Sequence, residues 1–363
     1  MSTSTAAIAS SSTTNLDQRD FHENNTIHHS YSESDIGVPP ADEDIPDAIE
    51  ELSTELNNRL SIQSSSPLTD AQVEILNKFK ANYEKQRSQL TPLQSYYIFD
   101  DSSCFVRYLK ARDWDITNAT KLLNSSLHWL ESYKPYALTA RQLYLEASPA
   151  KIYIKGKDKV GRPIIYLHAA RDATKDPAMG LYLLIYTLIA ASYRMENGVQ
   201  QMTWVCDFKG YSTKSAPPLS VCKQAIEVLS SHFPERLGIC IMVNAPKVFH
   251  WFFKLISPLI PPVTKSKIQF CKSEKPQEMR KFFENFIDPS QFDTTYGGDQ
   301  AFEYKHVDMW AEEMKWDQRR LEILRDANAM TAEDVKTLLE EPICDNKERH
   351  ALVSKHKKAT MKL

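Results

Sequence analysis

Asp207 closes an apolar run, QMTWVCDF (201–208). The end of a buried strand is where α/β enzymes place catalytic carboxylates. A catalytic carboxylate needs a partner: a base, a metal or a second acid. The sequence supplies none beside it. It contains no G-x-S-x-G elbow, no G-x-x-x-x-G-K-[ST] loop and no H-E-x-x-H. Nine glycines in the whole chain leave little for a phosphate-cradling loop, and the ten histidines are dispersed, with His28 and His29 in a polar tail. Asp207 is therefore read as structural, a cap or an ion-pair partner. Six cysteines are scattered with no C-x-x-C pair, which reads as reduced cytosolic thiols and not a zinc site or disulfide frame. No enzyme activity, cofactor, metal or nucleic acid is expected.

The sharpest segment is NAPKVFHWFFKLISPLIPPVTKSK (244–267). Pro246 can open a helix, and Pro258, Pro261 and Pro262 stop it. Val248, Phe249, Trp251, Phe252, Phe253, Leu255 and Ile256 are apolar, while Lys247, His250 and Lys254 fall at i, i+3 and i+7. One narrow basic stripe thus faces a wide aromatic surface. Two readings stay open. The segment is a core helix with two snorkelling lysines, or a helix that touches lipid at a membrane interface. Proline at both ends also lets it move as a rigid unit.

Alternating elements must position this segment. Residues 1–69 hold 12 acidic residues against Arg19 and Arg59, a net −10, so the rest carries +7 of the formal −3. This Ser/Thr-rich acidic tail is expected to be disordered. Thr69 and Gln72 form a capping box before Val73, Leu76, Phe79 and Tyr83 at helical spacing. A second helix follows Asp100 and Asp101, and a third runs from Asp115–Thr117 to about Tyr133 and ends at Pro135. Three helices make a lobe over 70–140. Runs 151–156 and 162–170 read as a hairpin. Helix 178–196, strand 201–208, helix 217–232, strand 238–244, the aromatic helix, strand 267–271 and a helix over 278–286 then alternate. That order implies a mainly parallel, buried sheet. Gly297 and Gly298 mark a turn. Trp310, Met314, Leu321 and Leu324 stripe a C-terminal helix docked on the body, and KHKKATMK (355–362) is a basic tail. The start lacks an apolar secretory segment, and the longest apolar run, 181–193, is too short to span a bilayer.

Taken together, FVRYLKARDWDITNATKLL, GRPIIYL, VCDFKGY, FPERLG, NAPKVFHWFFKLISPLI, PPVTKSKI and YGGD resemble the CRAL-TRIO lipid-binding family, and most of all its yeast-type phosphatidylinositol transfer proteins. The match spans roughly 70–305. The resemblance implies an α/β fold: an N-terminal helical lobe plus a mixed, mainly parallel sheet that floors an apolar lipid cavity over 147–305. A gate helix closes it, with Phe249, Trp251, Phe252, Phe253, Leu255 and Ile256 as gate and membrane-contact residues. Residues 306–363 follow as an amphipathic helix and basic tail. The family's headgroup positions fall on Arg112, Glu235, Arg236, Thr264 and Lys267, with Lys265 as an added charge. Asp113 stands where many members have a second base. The floor positions that carry hydroxyls in phosphatidylcholine carriers hold Ile165, Thr187, Met202 and Trp204, so phosphatidylcholine is expected to bind poorly and a bulky apolar second ligand such as a sterol is allowed. The implied function is cytoplasmic, peripheral binding of phosphatidylinositol and its exchange between membranes. A sensor that presents the lipid to a kinase and, less favoured, a lipid-acting enzyme using Asp207 are the alternatives.

Overall fold

A computed structural model describes residues 67–343, except 172–175, 197 and 213–215 and the side chains at 248 and 251. The acidic segment 1–66 and the basic stretch 355–362 lie outside the described residues. Helix α1 (Asp70–Lys85) begins as expected: Thr69 accepts from the Gln72 N–H, and the Gln72 side chain accepts from the Thr69 N–H. Three further lobe helices follow: α2 (Pro92–Phe99), α3 (Cys104–Lys110) and α4 (Ile116–Tyr133). Lys134 then turns left-handed, and Pro135 prevents continuation. A fifth helix, α5 (Ala140–Ala147), follows, and its Ala140, Leu143 and Ala147 pack in the core beside the sheet and not in that of the lobe.

Helices α2 and α5 correct the three-helix reading. Each is eight residues long, so its apolar period repeats barely twice. The available signal is the cap. Thr91 with Gln94, and Thr139 with Gln142, make the same reciprocal box as Thr69 with Gln72.

The alternating part is β1 (Ile152–Lys157), β2 (Pro163–His168), α6 (Pro177–Tyr193), β3 (Met202–Asp207), α7 (Leu219–His232), β4 (Leu237–Val243), α8 (Lys247–Ile256), α9 (Pro262–Ser266), β5 (Ile268–Phe270) and α10 (Pro276–Phe283). The sheet order is β1-β2-β3-β4-β5. β1 and β2 pair antiparallel as the expected hairpin, and the other neighbours are parallel. The Asp158 carboxylate accepts from the Val160 and Arg162 N–H groups and from the Thr203 hydroxyl, which ties the hairpin turn to β3.

Strand residues alternate between two faces. Ile164, Val205, Ile239, Ile241 and Val243 pack with Met279 and Phe283 of α10 and with Ile287, Phe292 and Tyr296. Only glycine fits at 298, because a Cβ would clash with the Phe292 carbonyl oxygen. Ile165, Met202, Trp204, Cys206, Cys240 and Met242 belong to the opposite layer, with α6 and Phe249 of α8. α6 is apolar all round because it is buried nearly all round.

The C-terminal helix α11 (His306–Asp326) docks through buried Trp310, Leu321 and Leu324, and α12 (Ala332–Glu340) follows it. Arg320 donates to the Tyr136 and Leu138 carbonyls and pairs with Asp317, which accepts the Ala140 N–H at the start of α5. α11 therefore clamps the segment that joins lobe to sheet. No helix among the described residues is long and apolar enough to cross a membrane.

His232 ends α7, stacks on Trp129 with ring centroids 4.2 Å apart, and lies 3.0 Å from the Ser126 hydroxyl. Burial pushes its pKa down from an ordinary 6.5 to about 4. His168 is likewise pushed to about 4, by burial first and then by Arg171. Between these values the unfolded chain takes up protons that the folded chain refuses, so stability falls as pH drops from 6.5 toward 4. We expect the melting temperature to decline across that window and His232→Gln to flatten part of the slope. A slope unchanged in the variant would remove His232 from this account.

Candidate lipid-binding site

Helix α8 has Pro246 as its N-cap, runs Lys247–Ile256, and meets a turn containing Pro258 before α9. Its inner side reaches the sheet through rings. Phe249 lies on Phe208, with centroids 3.7 Å apart, and Phe253 lies 5.6 Å from Phe270 of β5. Phe252 and Ile256 are half-buried. Lys247 and Lys254 are exposed, as the stripe predicts, but His250 turns partly inward against Phe270 at 5.2 Å. The outer surface is also apolar: Leu255, Leu259 and Val263 are 43%, 41% and 56% exposed. The Trp251 side chain lies outside the described residues.

The two sheet faces are covered unequally. On the α10 side, Ile164, Val205, Ile239, Ile241 and Val243 are 0–1% exposed. On the α8 side, Trp204, Cys206, Cys240 and Met242 keep 6–9%. The aromatic helix covers its face less tightly than α10 covers the other. Of the four expected floor residues, Trp204 belongs to this loosely covered part, while Ile165, Met202 and Thr187 are sealed. The Thr187 hydroxyl donates to the Leu183 carbonyl in its own helix, so it is already committed.

At the opposite, N-terminal edge of the parallel strands, the chain turns at Glu235, whose φ is +57°. That left-handed residue sends neighbouring side chains to different partners. Glu235 reaches buried Lys267, with Oε2 3.2 Å from Nζ. Lys267 caps α9, and its N–H donates to the Thr264 carbonyl. Thr264 and Lys265 are half-buried alongside. Arg236 goes instead to Asp101 of the lobe at 2.7 Å. The expected Glu235–Arg236 headgroup pair therefore divides between two clusters.

Asp101 also binds Arg107 at 2.7 Å, and Arg107 donates on to the Pro234 carbonyl. Burial alone would raise the Asp101 carboxyl, but Arg107 and Arg236 together outweigh it and hold it well below the usual carboxylate range. The lobe's contribution beside the Pro234–Arg236 turn is thus Arg107. Arg112 donates to the Ala111 carbonyl at the end of α3. Arg107 and Arg112 both lie in the stretch RYLKAR, but Arg107 is on α3 while Arg112 sits in the turn beyond its C-cap, Ala111.

Asp207 sits at the other end of β3. It accepts from the Lys209 N–H, the Asn244 amide and the Tyr296 hydroxyl, and it lies 3.7 Å from His168. It joins three strand ends to Tyr296, as its structural reading expects.

Residues 148–298 match the CRAL/TRIO domain, and residues 74–125 match the CRAL/TRIO N-terminal domain. The chain is 34% identical over 226 residues to a phosphatidylinositol transfer protein, PDR17, of Saccharomyces cerevisiae, covering 58% of this chain and 61% of that protein. It is 31% identical over 232 residues to a CRAL-TRIO domain-containing protein, C23B6.04c, of Schizosaccharomyces pombe, covering 64% of this chain and 22% of that protein. Both matches span less than two thirds of the relatives' own length. The crystal structure of Sfh5 superposes with a TM-score of 0.55 at 15% identity, over 73% of this chain and 99% of that one, which speaks to the fold. With the lobe and the sheet each matched in its place, this chain belongs to the CRAL/TRIO family.

Proposed function

We propose that this chain binds phosphatidylinositol between the sheet and α8 and exchanges it between membranes. The observation that carries the reading is the loosely covered apolar face under a proline-bounded aromatic helix. Two acyl chains in water cost on the order of 20 kcal/mol at about 0.8 kcal/mol per methylene, so a carrier must enclose them. An ionised phosphate must stay paired. Lys267, Arg107 and Arg236 face Glu235 and Asp101, which leaves one positive charge in excess for a phosphodiester monoanion. Glu235 would then turn from Lys267 toward inositol hydroxyls. The name of the Saccharomyces relative supports the choice of lipid.

Exchange follows from the two sides of α8. Its outer Leu255 and lysines, with Leu259 in the turn that follows, suit a lipid–water interface, and its prolines let it swing as a unit. In the closed form the inner rings rest on Phe208 and Phe270. The floor offers phosphatidylcholine no spare hydroxyl at Thr187. The same bare floor accommodates a bulky apolar second ligand such as a sterol.

Lys267→Met keeps the apolar stem and removes the charge. Phosphatidylinositol transfer between liposomes should fall about tenfold or more with the fold retained by circular dichroism; normal transfer would refute the headgroup assignment. Leu255→Ser combined with Leu259→Ser should weaken docking on anionic vesicles about tenfold at an unchanged melting temperature. If docking is unaltered, α8 does not enter the membrane. Lipid that co-purifies with the protein should be mainly phosphatidylinositol by mass spectrometry, and a phosphatidylcholine majority would overturn the floor argument.

A further inference from the structure

Cys206 of β3 and Cys240 of β4 bring their Sγ atoms to 3.7 Å. They are 34 residues apart, so strand pairing joins them and no local motif does. Both belong to the layer beneath α8 and keep 6% and 7% exposure. Met242 stands opposite Cys206 in the β3–β4 register and two residues from Cys240 on its own strand, hence on the same face. Three sulfur side chains thus gather on one patch of the loosely covered floor. The headgroup and gate readings use none of them.

A disulfide is the first chemistry such a pair suggests, and the register opposes it. Cys240 is opposite Trp204, not Cys206. The two cysteines are one pleat repeat out of step, about 8 Å between Cα atoms at roughly 3.3 Å per residue and about 4.8 Å between strands. Beyond about 7 Å a disulfide cannot close without backbone movement. An ion held between the sulfurs fits the spacing. With metal–sulfur bonds of about 2.3 Å, the zinc–thiolate length, the 3.7 Å separation subtends about 107° at the ion. That angle suits trigonal or tetrahedral coordination. The ligand types then choose the ion. Among the described residues no group of three Cys, His, Asp or Glu side chains could hold one. A thioether must complete the set, and thiols with a thioether select copper(I). Structural zinc takes four nitrogen, oxygen or thiolate ligands, which this patch does not offer. Charge points the same way. The contact with Cys240, and then burial, hold the Cys206 thiol well above its ordinary pKa, so each proton removed is costly. A monovalent ion that displaces one proton leaves the patch uncharged. We infer that Cys206, Cys240 and Met242 form a copper(I) site on the sheet floor, filled from the α8 side with release of one proton per ion. This stands on the sulfur geometry and does not rest on the lipid reading.

Anaerobic titration of the reduced full chain with copper(I), in competition with the chromophoric chelator bicinchoninate, tests the inference. Wild type should withdraw one ion per chain, and X-ray absorption should show sulfur alone around it. Cys206→Ala and Cys240→Ala should each lose that ion. Met242→Leu, which conserves volume, should weaken binding about tenfold and lower the sulfur count from three to two. Cys222→Ala, on α7, should bind as wild type does, and every variant should keep the wild-type circular dichroism. Copper retained by both floor-cysteine variants overturns the inference. So does a wild type that takes up no copper, or a shell containing nitrogen or oxygen. If the alanine variants fail to fold, Met242→Leu with unchanged affinity and sulfur count overturns it by itself. Zinc(II) that displaces the bound copper refutes the choice of ion. A chain that loses two hydrogens by mass spectrometry and leaves the copper free has closed a disulfide, which refutes the site.

Discussion

A parallel sheet must have both faces covered, because its strands are apolar on both sides. Here the two covers differ in kind. The α10 face is closed by Phe283, Ile287 and Phe292 packed to near-zero exposure, with Gly298 against backbone. The α8 face is closed by rings on a helix that prolines separate from the strands on either side. Close packing resists movement, since any opening forfeits many contacts at once. A few ring contacts on a bounded helix resist it less. The site and the proposed exchange both depend on this difference between faces.

The charges are arranged around the same constraint. The charged residues of the headgroup reading gather at the strand N-terminal edge, where the turn at Glu235 divides them. One cluster, Arg236 with Asp101 and Arg107, ties the helical lobe to the sheet. The other, Glu235 with Lys267, links the starts of β4 and β5 beside α9. A single left-handed residue thus separates the two charge clusters that the headgroup reading combines. The clamp from Arg320 and Asp317 holds the segment after α4.

Much of this was legible in the residues. Alternating apolar runs and helical periods determined the element order, because side-chain period follows backbone geometry directly. Prolines at 246, 258, 261 and 262 bounded the aromatic helix, because proline acts on its own backbone. The capping box at Thr69 marked the start of α1, whereas the three-helix reading missed α2 and α5, whose apolar stripes are short and whose only local signature is the same box at Thr91 and Thr139.

Other features were decided only by the tertiary structure. Arg236 was drawn to Asp101, which is 135 residues away, and Arg107 rather than Arg112 was turned toward Pro234. The Thr187 hydroxyl was consumed by its own helix. Both sheet faces are apolar in the sequence, and their unequal covering arises from distant elements that arrive on each side. Local sequence sets periods, caps and breaks because those forces act within a few residues. Partners and residual space depend on chain segments brought together only by folding.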